Sequence, residues 1–242
     1  MAIDVSCFPS PYLDKADQVF VRPAPLYSWN DIVSGAQVRA HSGGTRRMFA
    51  VGPTTFRGFH RSNKACPGAK AAFVTYFLEQ RATLVGALSA IRNRVDLDRL
   101  SNRICEDVRG KLSNCRPAQL EAYNKIRKPV DLYLEHLIAM AAELDAVRAR
   151  LVPLLFLPLD SQMFAHPCLF TGSELAALRL SRRASYKDVS TEGIYSALQL
   201  LVARKAEVVA NARQRPFHAI YFDLLWGDRF CGRGGNLFET TP

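Results

Sequence analysis

The residue types best placed to do chemistry are the cations between Arg39 and Lys70, in the stretch RAHSGGTRRMFAVGPTTFRGFHRSNKACPGAK. Arg39, Arg46, Arg47, Arg57, Arg61, Lys64 and Lys70 lie here with His41 and His60, and no Asp or Glu occurs between Asp31 and Glu79. Phe49, Phe56 and Phe59 stand between the cations, and glycines occupy 43, 44, 52, 58 and 68. Clustered cations neutralise phosphates and release counterions. Aromatic faces stack on bases, with Phe56 or Phe59 as the wedge unless the core claims them. Glycines let the main chain approach a ligand closely. The chemistry this favours is recognition of a polyanion, nucleic acid before others, without bond breaking.

A second basic group follows at Arg182, Arg183 and Lys187, with Arg179 just before it. Thr171-Gly-Ser-Glu174 reads as a capping sequence for a helix through Arg179–Arg183. A break at Asp188–Thr191 leads to a further helix with Ile194, Leu198, Leu201 and Val208 as its apolar face. Helix, turn, helix with cations at the joint is one reading; two packed helices with a solvated basic edge is the other. The absence of a distinctive turn signature favours the second.

Other constellations fall short of catalysis. No GxxxxGK[ST] or GxSxG occurs, so neither a phosphate-binding loop nor a nucleophile elbow is present in the sequence. His41, His60 and Cys66 lack the fourth ligand and paired spacing of structural zinc. Arg213 and His218 match the loose Arg-x4-His spacing of HEPN ribonucleases, but Pro216 falls inside a motif that belongs on a helix. Asp96/Asp98 and Glu106/Asp107 read as capping or ion-pairing acids. No catalytic residue, metal or cofactor is expected.

Composition sets the frame. The 242 residues are 48% hydrophobic, and 32 Lys and Arg against 22 Asp and Glu give a formal charge of +10. That suits a globular chain with a nucleic-acid or other acidic partner. The six cysteines form no CxxC pair, so buried, reduced thiols and a cytoplasmic protein are expected. The first residues lack the pattern of a signal peptide, and no apolar run is long enough to span a membrane.

The elements that must position the cations are mostly helical. An α+β fold is expected: a Pro/Gly-rich basic portion with short strands over 1–69, a helical core over 70–152, and a C-terminal helical portion with a flexible tail over 153–242. Residues 1–34 read as irregular, with one extended piece at Gln18–Val21 and with Tyr27 and Trp29 pinned to the core. Arg46–Val51 reads as a strand ended by Gly52-Pro53. Phe73, Phe77, Leu84, Leu88 and Ile91 predict a helix from Lys70 to about Arg94. Further helices are predicted at Leu97–Val108, capped by Asp96 and stopped by Gly110, from Pro117 to before Pro129, and from Val130 to Leu151. Leu154–Leu159 is a buried strand or crossing segment, Asp160–Phe170 a loop burying Met163, Phe164 and Leu169, and Phe217–Trp226 core.

His41-Ser-Gly-Gly44, Pro53-Thr-Thr-Phe56, Ser62 and Cys66-Pro67, with the apolar run Val152–Leu159 followed by Ser161–His166, resemble the large subunit of type IV CRISPR effector complexes. The likeness covers about a third of the chain. His41 and Ser42 stand where that family has its first cysteine pair, and Gly68 or Ala69 where it has its last cysteine. The resemblance implies a non-catalytic subunit of an antiviral ribonucleoprotein. Such a subunit contacts guide RNA and target-flanking DNA, while base pairing reads the sequence. Other protein subunits and nucleic acid are the implied partners. Viral coat protein and HEPN-type ribonuclease are the alternatives.

Overall fold

Pro9 and Pro11 do not keep the start of the chain irregular. In the computed structural model, which describes residues 3–39, 43–231 and 237, α1 (Ser10–Ala16) starts beside them, with Pro11 in its first turn. There a missing N–H costs no helical hydrogen bond. A π turn at Asp17–Val21 replaces the expected extended piece. α2 (Trp29–Ser34) follows, its first turn capped by the Ser28 hydroxyl. Trp29 is fully buried and its indole N–H donates to the Phe77 carbonyl at 2.8 Å.

Strands β1 (Ala36–Arg39) and β2 (Thr45–Met48) pair antiparallel, with Ala36 opposite Met48 and Arg39 opposite Thr45. The hairpin buries only the Ala36–Met48 end, and Arg39, Arg46 and Arg47 toward its tip are exposed. The other regular elements of the described residues are helical, so the fold is predominantly α-helical α+β.

Helices α3 (Ala69–Glu79) and α4 (Arg81–Ala90) occupy the stretch expected to be one helix, and the interruption falls at Gln80. All five stripe residues, Phe73, Phe77, Leu84, Leu88 and Ile91, are buried. α5 (Arg94–Lys111) is longer than expected at both ends. Asn93, not Asp96, is its cap, accepting from the Asp96 amide at 3.0 Å, and Gly110 lies within the last turn.

Pro117 opens only a 3₁₀ turn, Pro117–Gln119. α6 (Tyr123–Met140) then runs straight through Pro129, which was expected to separate two helices. Nearly every residue of α6 is buried, and that packing offsets the roughly 3 kcal/mol cost of an interior proline. The helix stops at Met140 instead of continuing to Leu151. Tyr27 takes its backbone groups: the Tyr27 amide donates to the Met140 carbonyl at 3.0 Å, and the Ala142 amide donates to Tyr27 at 2.9 Å. α7 (Asp145–Leu151) turns back, and Arg148 donates to the Ile138 and Ala141 carbonyls.

Residues 155–160 cross the core as a buried segment without strand pairing. α8 (Ser161–Ala165) lies where a loop was expected, capped by Asp160; Met163, Phe164 and Leu169 are buried. α9 (Gly172–Ala177) has the Thr171–Glu174 capping box read from the sequence, but it ends before Arg179, whose φ is 57°. α10 (Glu192–Arg213) is not joined to α9 by a short turn, so no helix-turn-helix forms. Its inner face uses Leu198, Val202, Ala206 and Val209, while Val208 faces outward.

A 3₁₀ stretch, Ala219–Cys231, returns to the N-terminal helices. Phe8 packs against Phe217 and Phe222 at 5.4 and 5.3 Å between ring centroids. The Tyr12 hydroxyl donates to the Tyr221 carbonyl at 2.6 Å. Cys7 and Cys168 are disulfide-bonded, which corrects the expectation that all thiols are reduced. Residues 8–12 and 217–222 thus share one core. Among the described residues no helix is long and apolar enough to cross a membrane.

Candidate nucleic-acid interface

Folding separates the basic segment into two parts. On the hairpin, Arg39, Arg46 and Arg47 project from β1 and β2. The Lys70 amine lies 3.5 Å from the centre of the Phe49 ring. Burial, then the nearby Arg47 guanidinium, lowers the Lys70 pKa. Phe49 therefore serves as a ledge for a cation. Phe56 and Phe59 are core residues, 5.3 and 6.3 Å from the Phe73 ring and at most 8% exposed. Neither stacks on a base.

The second part is a loop held as a platform. The Ser62 amide donates to the Asn114 carbonyl at 2.7 Å, and the His60 amide donates to Gln119 Oε1 at 2.7 Å. Asn114 Nδ2 donates to the carbonyls of Asn63 and Pro67, while its Oδ1 accepts from the Asn63 amide. Arg61 pairs with Cys115 in an isolated bridge, and its guanidinium donates to the carbonyls of Lys64 and Cys66. With backbone groups paired in this way, the loop presents its cations at fixed positions.

Two adjoining clefts open on this platform. One, about 440 Å³, is lined by Phe59, His60, Arg61, Lys64 and Arg116. The other, about 710 Å³, has Gly58 and His60 on one side, Tyr186 and Lys187 on the other, and Lys125 of α6 in its wall. His60 lines both. Lys187 of the second basic group is thus brought to the first. Arg182 and Arg183 are exposed on the same connection, but Arg182 reaches back to the Ala165 carbonyl at 3.3 Å and neither lines the cleft. Arg57 is exposed beside Gly58 and also lies outside both linings.

Lys125, Arg116 and Tyr186 have no signature in the local sequence. Lys125 is one position in a helical stripe, and only the return of residues 185–190 against α6 makes it a site residue. The Tyr123 and Asn124 amides donate to the Ser190 and Val189 carbonyls at 3.0 and 3.2 Å, which anchors that return.

The residues of the ribonuclease-like spacing do not share a helix. α10 ends at Arg213, with Gln214 left-handed after it. Arg213 donates to the Val5 carbonyl at 2.7 Å, and His218 packs against Tyr221 at 5.0 Å. Of the zinc candidates, His41 lies outside the described residues, and among those described no three His, Cys, Asp or Glu side chains gather to hold a metal. Arg229 and Arg233, near the C-terminus, lie outside the described side chains.

Comparison with known proteins finds no counterpart: no family model, curated protein or solved structure matches the chain.

Proposed function

We propose that the protein is a non-enzymatic nucleic-acid-binding subunit of a ribonucleoprotein. The observation that carries this reading is the cleft in which Lys125 and Lys187 face the Gly58–His60 loop. It continues past His60 to Arg61, Lys64 and Arg116. Five formally positive side chains line the two clefts against one carboxylate, Glu121. A groove of one sign concentrates a polyanion and holds its backbone without reading bases. The exposed hairpin cations supply a second contact surface.

Within this reading, the likeness of the His41–Pro67 segment to type IV CRISPR large subunits supports a place at one end of a guide-RNA complex in the cytoplasm. There it would contact guide RNA and the DNA flanking the target, alongside other protein subunits. The test is purification from the native host, followed by sequencing of bound nucleic acid and identification of bound proteins. A uniform small RNA with several other proteins is expected. Heterogeneous or genome-length RNA with this chain alone would make it a coat protein, and nucleic-acid-free material that also fails to bind RNA or DNA in low salt would end the reading.

A further inference from the structure

Among the described residues, the buried Lys and Arg side chains are matched to carboxylates, with one exception. Arg127 pairs with Asp131 and Asp98 at 2.8 and 2.9 Å, Lys128 with Asp160 at 3.0 Å, and Lys205 with Glu174 at 2.8 Å. Arg148 pairs with Asp145. Lys125 is 5% exposed, and among the described residues no carboxylate lies within ion-pair distance of it.

Its ammonium is nevertheless held in place. It donates to the Gly58 carbonyl at 2.6 Å and to the Tyr186 hydroxyl at 3.1 Å. The Phe59 and Tyr186 ring centres lie 4.3 and 5.0 Å away. Two of three N–H donors are thereby used. These neutral groups orient the charge without cancelling it, and a charge partly withdrawn from water without a counter-ion carries a cost. Burial lowers the Lys125 pKa; the Cys115 thiol opposes that shift and Lys187 adds to it. A second cation beside the first deepens the deficit of negative charge.

We propose that Lys125 and Lys187 form a seat for one phosphate group, which supplies the counter-charge absent from the fold around Lys125. This deepens the nucleic-acid reading and rests on the same cleft. A phosphate suits it because its oxygens accept from several donors at once. Lys187, His60 and Ser190 line the cleft with Lys125. Glu121 lines it too, and Asp188 is bound by the Ser185 amide and hydroxyl at 2.7 and 2.8 Å.

The seat accepts either a phosphate of a nucleic-acid chain or a free phosphate, and two titrations of the full chain separate them. One uses inorganic pyrophosphate, the other a 5′-phosphorylated single-stranded oligonucleotide. Each is repeated with Lys125→Met and with Lys187→Ala, the latter an exposed position where folding is not at risk. Removing a charge-assisted hydrogen bond should weaken both ligands about tenfold in Lys125→Met, equivalent to 1.4 kcal/mol, and by a smaller factor in Lys187→Ala. Lys187→Ala with wild-type affinity for both ligands overturns the seat, whatever happens to Lys125→Met. Oligonucleotide binding unchanged in both variants, with no pyrophosphate bound by the wild type, overturns the seat and leaves the nucleic-acid reading standing. Pyrophosphate binding that depends on both lysines, without oligonucleotide binding, keeps the seat as a free-phosphate site and removes the nucleic-acid reading.

Discussion

The Lys125 ammonium donates to the Gly58 carbonyl across 2.6 Å, tying the basic loop to the first turn of the central helix α6. A Cβ at position 58 would collide with that ammonium and with the Tyr186 hydroxyl. Both are the ends of side chains that can swing away, so Gly58→Ala should fold while displacing both groups from the cleft. Oligonucleotide affinity should fall with little change in melting temperature; unchanged affinity would detach this contact from binding.

Arg46→Glu, Arg47→Glu and Arg57→Glu together test the exposed cations. All three side chains are exposed, so folding should survive their reversal. Binding should weaken for every sequence tested, and the log–log salt dependence should flatten by about 0.7–0.9 for each phosphate that is no longer neutralised. A full salt slope in the triple variant would confine binding to the cleft.

Arg127 anchors α6 from beneath. Fully buried, it donates to Asp131 at 2.8 Å, and Asp131 also accepts from the Tyr195 hydroxyl at 2.7 Å. Burial pushes the Asp131 carboxyl up to about 6 despite the opposing pull of Arg127. Arg127→Met should cost about 3–5 kcal/mol in urea unfolding, because Asp131 is left buried without its cation. Arg127 also lies over the Phe156 and Tyr195 rings, 4.8 and 4.7 Å from their centres. Adding Asp131→Leu should recover part of the loss; no recovery would assign the cost to that packing instead.

His218 makes stability depend on pH. Burial lowers its pKa below the usual 6.5, with Asp17 opposing. The unfolded chain therefore binds more protons than the folded one between that lowered value and 6.5. Its contribution to stability is present above 6.5 and is lost as pH falls through that window. His218→Gln should flatten the stability curve there. The same variant should leave RNA intact or degraded as the wild type does; a cleavage activity that disappears with His218 would revive the ribonuclease reading.

The Cys7–Cys168 link closes a loop spanning 161 residues of separation. Cys168→Ser should destabilise the oxidised protein by about 2–4 kcal/mol, and a reductant should do the same to the wild type. Alkylation of freshly lysed cells followed by mass spectrometry reads the state of the pair in its own compartment. The disulfide is expected intact, which would count against a reducing compartment; free thiols at both positions would fit the proposed cytoplasmic guide complex.

Local pattern along the chain was enough to read the helical character, the presence of short strands in the basic portion and most core stripes; the pairing of Ala36–Arg39 with Thr45–Met48 was not read. Helical periodicity and acid-free stretches are short-range features, so Phe73, Phe77, Leu84, Leu88 and Ile91 were legible as an inward face and Arg39, Arg46 and Arg47 as exposed charge. Thr171 and Glu174 were legible for the same reason, since a capping box closes within one turn.

Long-range packing set where helices stop and which cations meet. α6 passes through Pro129 because surrounding burial outweighs a local penalty, and it ends at Met140 because Tyr27, distant in sequence, takes the backbone there. Phe56 and Phe59 interleave with cations along the chain, yet both turn into the core against Phe73. Lys125 is a helix position with no distinguishing neighbour until Gly58 and Tyr186 converge on it. Periodicity records which side of an element is apolar; it does not record which remote groups share a charge, and that pairing is fixed only when the chain packs.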